Sequence, residues 1–124
     1  MAKILIVDDS GLSRRTLRRI LEPAGHQVIE ASDGMAALEK YFLEKADLVF
    51  LDLTMAGMHG FDVLAKLRQM DPAVNVIVAT ADIQTSTKAM VMEGGASDFI
   101  IKPFDLETVL KTVDAILAKQ GGNQ

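Results

Sequence analysis

The sequence contains no cysteine, no tryptophan, one tyrosine and three prolines. Without cysteine there is no disulfide, no thiolate nucleophile and no cysteine-ligated metal. That fits a reducing compartment, and the cytoplasm is the default expectation. Positive charge is not in excess: 13 Lys and Arg stand against 17 Asp and Glu, a formal charge of −4. Phosphate backbones need concentrated Lys and Arg, so no direct nucleic-acid contact is expected. No apolar run approaches the ~18 residues that cross a bilayer. The stretch Ile4 to Val7 is too short for a signal-peptide core, so no membrane insertion is expected.

Apolar residues are abundant, at 49% of the 124 residues, enough for one domain that folds without a staple. That domain is expected to span residues 1–124, with 120–124 a short frayed tail. Short β-branched runs recur: Ile4 to Val7, Val28-Ile29, Leu48 to Leu51, Val74 to Val78, and Phe99 to Ile101. Between them lie segments with apolar residues three and four apart, such as Leu17, Ile20, Leu21 and Ala24, or Val109, Leu110, Val113, Ile116 and Leu117. The runs are continuous rather than alternating, as in strands covered on both faces. Five βα units of this kind predict an α/β fold. Its form is a doubly wound five-stranded parallel sheet, flavodoxin-like, with strand order 2-1-3-4-5. Punctuation agrees: Gly25 after the first helix, Ser32-Asp33-Gly34 before the second, Gly94-Gly95 after the fourth, Asp105 early in the fifth.

Open α/β sheets bind ligands beyond the carboxyl ends of their strands, near the switch in strand order. The first strand ends in Asp8-Asp9, the third in Asp52, the fourth in Thr80-Ala81 and the fifth in Lys102-Pro103. The order 2-1-3-4-5 brings three carboxylates, a hydroxyl and an ammonium to one place. Adjacent carboxylates repel unless a cation neutralises them. Oxygen-only ligands favour a hard ion, and a site that keeps waters and takes phosphate favours Mg²⁺. Lys102 and Thr80 suit phosphate oxygens. Asp52 lies in the middle and is the natural nucleophile for an aspartyl phosphate.

These segments resemble the receiver domains of response regulators in two-component signalling. The resemblance rests on Ile4-Leu-Ile-Val-Asp8-Asp9-Ser10, Leu51-Asp52-Leu-Thr54-Met, Gly57-Met-His-Gly60-Phe, Val78-Ala-Thr80-Ala81 and Gly95-Ala-Ser-Asp-Phe99-Ile-Ile-Lys102-Pro103-Phe104. It covers the whole chain. It implies phosphorylation of Asp52 by a phosphohistidine on a histidine kinase or histidine phosphotransfer protein. It implies Mg²⁺ held directly by Asp9 and Asp52, through water by Asp8, and by the Thr54 carbonyl. Thr80 and Lys102 would hold the phosphoryl oxygens, and the small Ala81 would keep the site open. Lys102-Pro103 would be cis. Thr80 and Phe99 would form the switch that alters the surface of the fourth helix, fifth strand and fifth helix. Ala56 and His59 depart from the family's usual proline and acid, which affects the loop and not the phosphoryl site. Phe99 lacks a tyrosine hydroxyl.

The expected protein is a stand-alone phosphoacceptor of the chemotaxis or relay type, not a turnover enzyme, acting on a downstream protein target as a monomer or phosphorylation-dependent dimer. The Gln120-Gly-Gly-Asn-Gln124 tail favours a natural end. The alternatives are a receiver fragment of a multidomain transcriptional regulator and a phosphorylation-independent pseudo-receiver. Two other classes fit poorly. A haloacid-dehalogenase phosphatase needs Asp-x-Asp after its first strand, and Thr54 follows Asp52 at that spacing. A nucleotide binder needs a Gly-rich phosphate loop where Asp8-Asp9 stand, and no Gly-x-x-x-x-Gly-Lys-Ser/Thr occurs. Arg14-Arg15 and Arg18-Arg19 are read as a solvated face of the first helix or a docking patch. His26 and His59 lack metal spacing and receive no role. Met55 and Met58 could touch a partner.

Overall fold

The computed structural model describes residues 2–53, 59–81 and 84–122. Strands β1 (Lys3–Val7), β2 (Gln27–Ala31), β3 (Leu48–Asp52), β4 (Val76–Thr80) and β5 (Asp98–Ile101) alternate with five helices. These are α1 (Gly11–Leu21), α2 (Gly34–Glu44), α3 (Gly60–Met70), α4 (Thr85–Glu93) and α5 (Leu106–Gly122). The sheet is parallel in the order β2-β1-β3-β4-β5, as expected. Among the described residues, no helix is long and apolar enough to cross a membrane.

Each strand sends alternate side chains to opposite faces, and both faces are covered. Leu5, Val7, Val49, Leu51, Val76 and Val78 pack with Ala37 and Tyr41 of α2, Val63, Leu64 and Leu67 of α3, and Val91 of α4. Ile4, Ile6, Leu48, Phe50 and Ile77 pack with Leu17, Ile20 and Leu21 of α1 and Val109, Val113 and Ile116 of α5. This double burial is why the strands read as unbroken apolar runs. It fixes the strands whose ends carry the polar residues.

The helix starts are capped by their own sequence. Ser10 Oγ accepts from Ser13 N–H, Asp33 accepts from Ala36 N–H, and His59 Nδ1 accepts from Phe61 N–H. Asp105 caps α5 by accepting from Thr108 N–H and Oγ, so it stands before that helix rather than within it. Helix α4 has no side-chain cap, and Val91 is its single buried residue among the side chains described. Tyr41 donates to Asp71 at 2.7 Å and ties the end of α2 to the end of α3. Burial first, then that carboxylate, raise the Tyr41 hydroxyl above its ordinary value.

Three boundaries differ from expectation. Ala24 is exposed and lies beyond α1, because the helix ends at Leu21 before Pro23. Strand β4 begins at Val76, not Val74; Val74 is buried but its N–H turns back to Asp71 O. Residues 120–122 continue α5 instead of forming a tail, since Ala118-Lys119-Gln120 are good helix formers with no proline after them.

Two residues outside the expected set hold this frame. His26, buried, accepts a hydrogen bond on Nδ1 from Ala2 N–H at 3.1 Å, while Gln27 N–H donates to Ala2 O at 2.8 Å. The imidazole thereby joins the start of β1 to the start of β2. Gly60 opens α3 against the end of β3: a Cβ there would lie 2.5 Å from Leu53 Cα and 2.7 Å from Asp52 O.

Both generate predictions. Burial lowers the His26 pKa below 6.5, outweighing the attraction of Asp114. The unfolded chain therefore protonates first, so this contribution to stability is full above the unfolded value and is lost as pH falls below it. The urea midpoint is expected to fall more steeply with acid in wild type than in His26→Gln, which accepts the Ala2 hydrogen bond without titrating. Equal slopes would remove His26 from the linkage. Gly60→Ala gains helix propensity of about 1 kcal/mol, but the clash is with backbone that cannot swing aside. A net loss of about 1–2 kcal/mol is expected, read as a lower urea midpoint at unchanged m-value.

Candidate functional site

The parallel sheet brings the carboxyl ends of β1, β3, β4 and β5 to one rim. Register places Val7 beside Leu51, Asp52 beside Ala79, and Thr80 beside Ile101. The residues that follow Val7 and Ile101 therefore flank Asp52. Asp8, Asp52 and Thr80 are 2%, 3% and 1% exposed, unusual burial for such groups, while Asp9 and Ala81 are exposed. Each of Asp8, Asp9 and Asp52 offers a carboxylate oxygen within 4.8 Å of the others.

Lys102 answers this concentration of negative charge. Its Nζ donates to Asp8 Oδ2 at 2.8 Å and lies 3.7 Å from Asp52 Oδ1. It also reaches Ser13 Oγ at 3.4 Å and sits 5.8 Å from the Phe104 ring centroid. Its backbone is fixed by Lys102 N–H donating to Thr80 O at 2.8 Å, and the Lys102-Pro103 bond is cis. This one ammonium thus meets two of the three clustered carboxylates, and the third, Asp9, is exposed. Phe99 on β5 is half-buried and packs against the cluster beneath α2, α3 and α4.

Asp8, Asp9, Asp52, Thr80, Ala81 and Lys102 lie at this rim, and Phe99 lies on β5 beneath it. Thr54, Met55, Ala56, Gly57 and Met58 lie outside the described residues.

The sequence reading missed the network that holds the first acid. Asp8 N–H donates to Ala31 O, and its carboxylate accepts from Ser10 N–H at 2.9 Å. Its carbonyl accepts from Arg14 Nη1 at 2.7 Å. Arg14 Nε in turn donates to Glu30 Oε1 at 2.8 Å, and Arg18 pairs with Glu30 Oε2 at 2.8 Å and with Glu22 at 2.7 Å. Burial pushes Glu30 up, but hydrogen bonds from Arg18 and Arg14 outweigh it and hold the carboxyl below its ordinary value. The basic patch is therefore divided: Arg14 and Arg18 bind within the chain, and Arg15 and Arg19 remain exposed. The i, i+4 spacing of Arg14 and Arg18 was a usable signal. Its partner on β2 was not readable from spacing. His59 likewise has a local part, stacking on Phe61 with ring centroids 5.5 Å apart.

The family model for the response regulator receiver domain matches residues 4–114. Protein PilH of Pseudomonas aeruginosa is 40% identical over 120 residues, covering 95% of this chain and 99% of PilH. Chemotaxis protein CheY of Thermotoga maritima is 36% identical over 115 residues, covering 92% of this chain and 96% of that protein. Among solved structures, a chain of the CheX–CheY–BeF3–Mg²⁺ complex of Borrelia burgdorferi superimposes with a TM-score of 0.89 at 33% identity. It covers 93% of this chain and 88% of that one. With sequence and fold agreeing over nearly the whole length of each relative, the chain belongs to the response regulator receiver domains, the phosphorelay switches of two-component signalling.

Proposed function

We propose that Asp52 is the phosphoacceptor, taking its phosphoryl group from a phosphohistidine on a histidine kinase or histidine phosphotransfer protein. The observation that carries this reading is the placement of Asp52. It is a buried carboxylate at the end of the middle strand, between the acid pair of β1 and an ammonium 3.7 Å away. In the transfer, a bond forms from an Asp52 carboxylate oxygen to phosphorus as the donor's P–N bond breaks. The imidazole, protonated on its other ring nitrogen, leaves with the electron pair as neutral imidazole.

The donor set fits a divalent cation: among the described residues it is three carboxylates, with more negative charge than Lys102 alone offsets. Asp9 and Asp52 would hold Mg²⁺ directly and Asp8 through water, with the Thr54 carbonyl a further ligand. The bound ion would neutralise charge that gathers on the phosphoryl oxygens. Lys102 turns its ammonium to one phosphoryl oxygen, and Thr80 donates its hydroxyl to another. The new group adds roughly −1.5 to −2 charge units. Drawing Thr80 towards it vacates space for the half-buried Phe99 ring, which alters the α4, β5 and α5 surface seen by a downstream protein. A shift from about 1:99 to 99:1 requires roughly 5.5 kcal/mol, the order of a few charge-assisted hydrogen bonds. The Borrelia burgdorferi relative, held with CheX, BeF3 and Mg²⁺, supports the same reading. On this reading the protein assists its own phosphorylation and acts in the cytoplasm as a switch, not as a turnover enzyme.

Incubation with acetyl phosphate and Mg²⁺ is expected to add one phosphoryl group by intact mass, with none added to Asp52→Asn or in the presence of chelator. Labelling of Asp52→Asn at the wild-type rate would overturn the assignment. Thr80→Ala is expected to take the label yet lose the amide shifts that phosphorylation produces in α4, β5 and α5. Wild-type shifts in that variant would remove Thr80 from the switch.

A further inference from the structure

The network behind Asp8 carries a consequence for the cation site. The Asp8 peptide is held from both ends: its N–H by Ala31 O of β2, its carbonyl by the Arg14 guanidinium at 2.7 Å. That carbonyl belongs to the Asp8–Asp9 peptide plane, so its direction governs where the chain carries Asp9 next. Asp9 is exposed, at the edge of the acid cluster. Arg14 is not free to wander, because Glu30 accepts from its Nε at 2.8 Å. Glu30 is itself held by Arg18, and Arg18 by Glu22 at 2.7 Å. The clasp runs from α1 to β2 and back to the loop that carries both acids.

We propose that Arg14 is a positioning residue for the divalent-cation site, orienting the Asp8–Asp9 peptide so that Asp9 and Asp52 meet one ion. The inference rests on the assignment of that site to Asp8, Asp9 and Asp52. It has a distinctive sign. Arg14 is a cation near an acid cluster, so charge alone predicts that removing it tightens Mg²⁺ binding. Positioning predicts the reverse, because partners that orient metal ligands are worth about 10- to 100-fold in affinity. The guanidinium is also suited to the task where an ammonium is not. Its planar fork serves the Asp8 carbonyl and Glu30 together, whereas a lysine Nζ is a single point.

Mg²⁺ titration followed by amide NMR tests this, since the chain has no tryptophan to report binding. Arg14→Ala is expected to raise the Mg²⁺ Kd about 10-fold or more. Arg14→Lys, which keeps the charge, is expected to fall between it and wild type. Arg18→Ala is expected to lose less, because Glu30 still holds Arg14. Arg19→Ala, an exposed cation of the same helix, is expected to bind as wild type or slightly tighter. A wild-type or tighter Kd in Arg14→Ala overturns the proposal, as does an equal loss in Arg19→Ala. If Arg14→Ala fails to give a dispersed amide spectrum, Arg14→Lys decides: wild-type affinity there overturns the proposal. Wild-type protein that takes up no Mg²⁺, or binds it equally well as Asp9→Asn, overturns the site assignment and this inference with it. A wild-type site that responds to Asp9→Asn but not to Arg14→Ala overturns the inference alone.

Discussion

Three carboxylates gathered within 4.8 Å at the end of a buried sheet are the constraint on which this structure turns. Two unit charges at such a distance repel by about 3.5 kcal/mol at an effective dielectric of about 20. Locally, Ser10 N–H offsets part of that cost by donating to the Asp8 carboxylate. The fold offsets much of it from a distance: Lys102, just beyond β5, reaches Asp8 across 94 residues of chain and lies 3.7 Å from Asp52. The apolar packing on both sheet faces keeps the strand ends in place while the polar residues oppose one another. Local conflict sustained by a well-packed frame is characteristic of a site kept for function rather than stability.

Much of this was legible in the sequence because it depends on pattern. Unbroken apolar runs gave the covered parallel sheet, and the sheet order placed Asp8, Asp9, Asp52, Thr80 and Lys102 together without further information. What escaped depends on distances between elements. Nothing local to His26 says that its ring will meet the Ala2 amide. Nothing local to Glu30 says that two guanidiniums of α1 will share it. The charge pattern of α1 suggested a solvated or docking face, and half of it is committed to internal pairs. Gly60 entered only as part of a matching segment; its reason is the backbone of Leu53 lying against it. Ala24 kept helical spacing, but Pro23 ended the helix first.

The five helices are not equally secured. Towards α1 and α5 the core is continuous and the helix starts are capped. Towards α2, α3 and α4 the core is also continuous, but the contribution of the last helix is small: α3 buries Val63, Leu64 and Leu67, whereas Val91 is the buried residue among the described side chains of α4. Phe99 packs, partly buried, against the same cluster as Val91. The firm region therefore includes Asp8 and its clasp, and the yielding region lies at α4, beyond Thr80 and the end of β4.

That small contribution sets the scale of an event far smaller than unfolding. Among its described side chains α4 buries Val91 and it has no side-chain cap, so exposing that valine, worth about 1.5–3 kcal/mol, is a main cost of opening the helix locally. Such an element is expected to exchange its amide hydrogens through openings that leave the rest of the sheet closed. A perturbation worth only a few hydrogen bonds at the rim is large on that scale. The domain can be stable as a whole and still hold one helix close to balance.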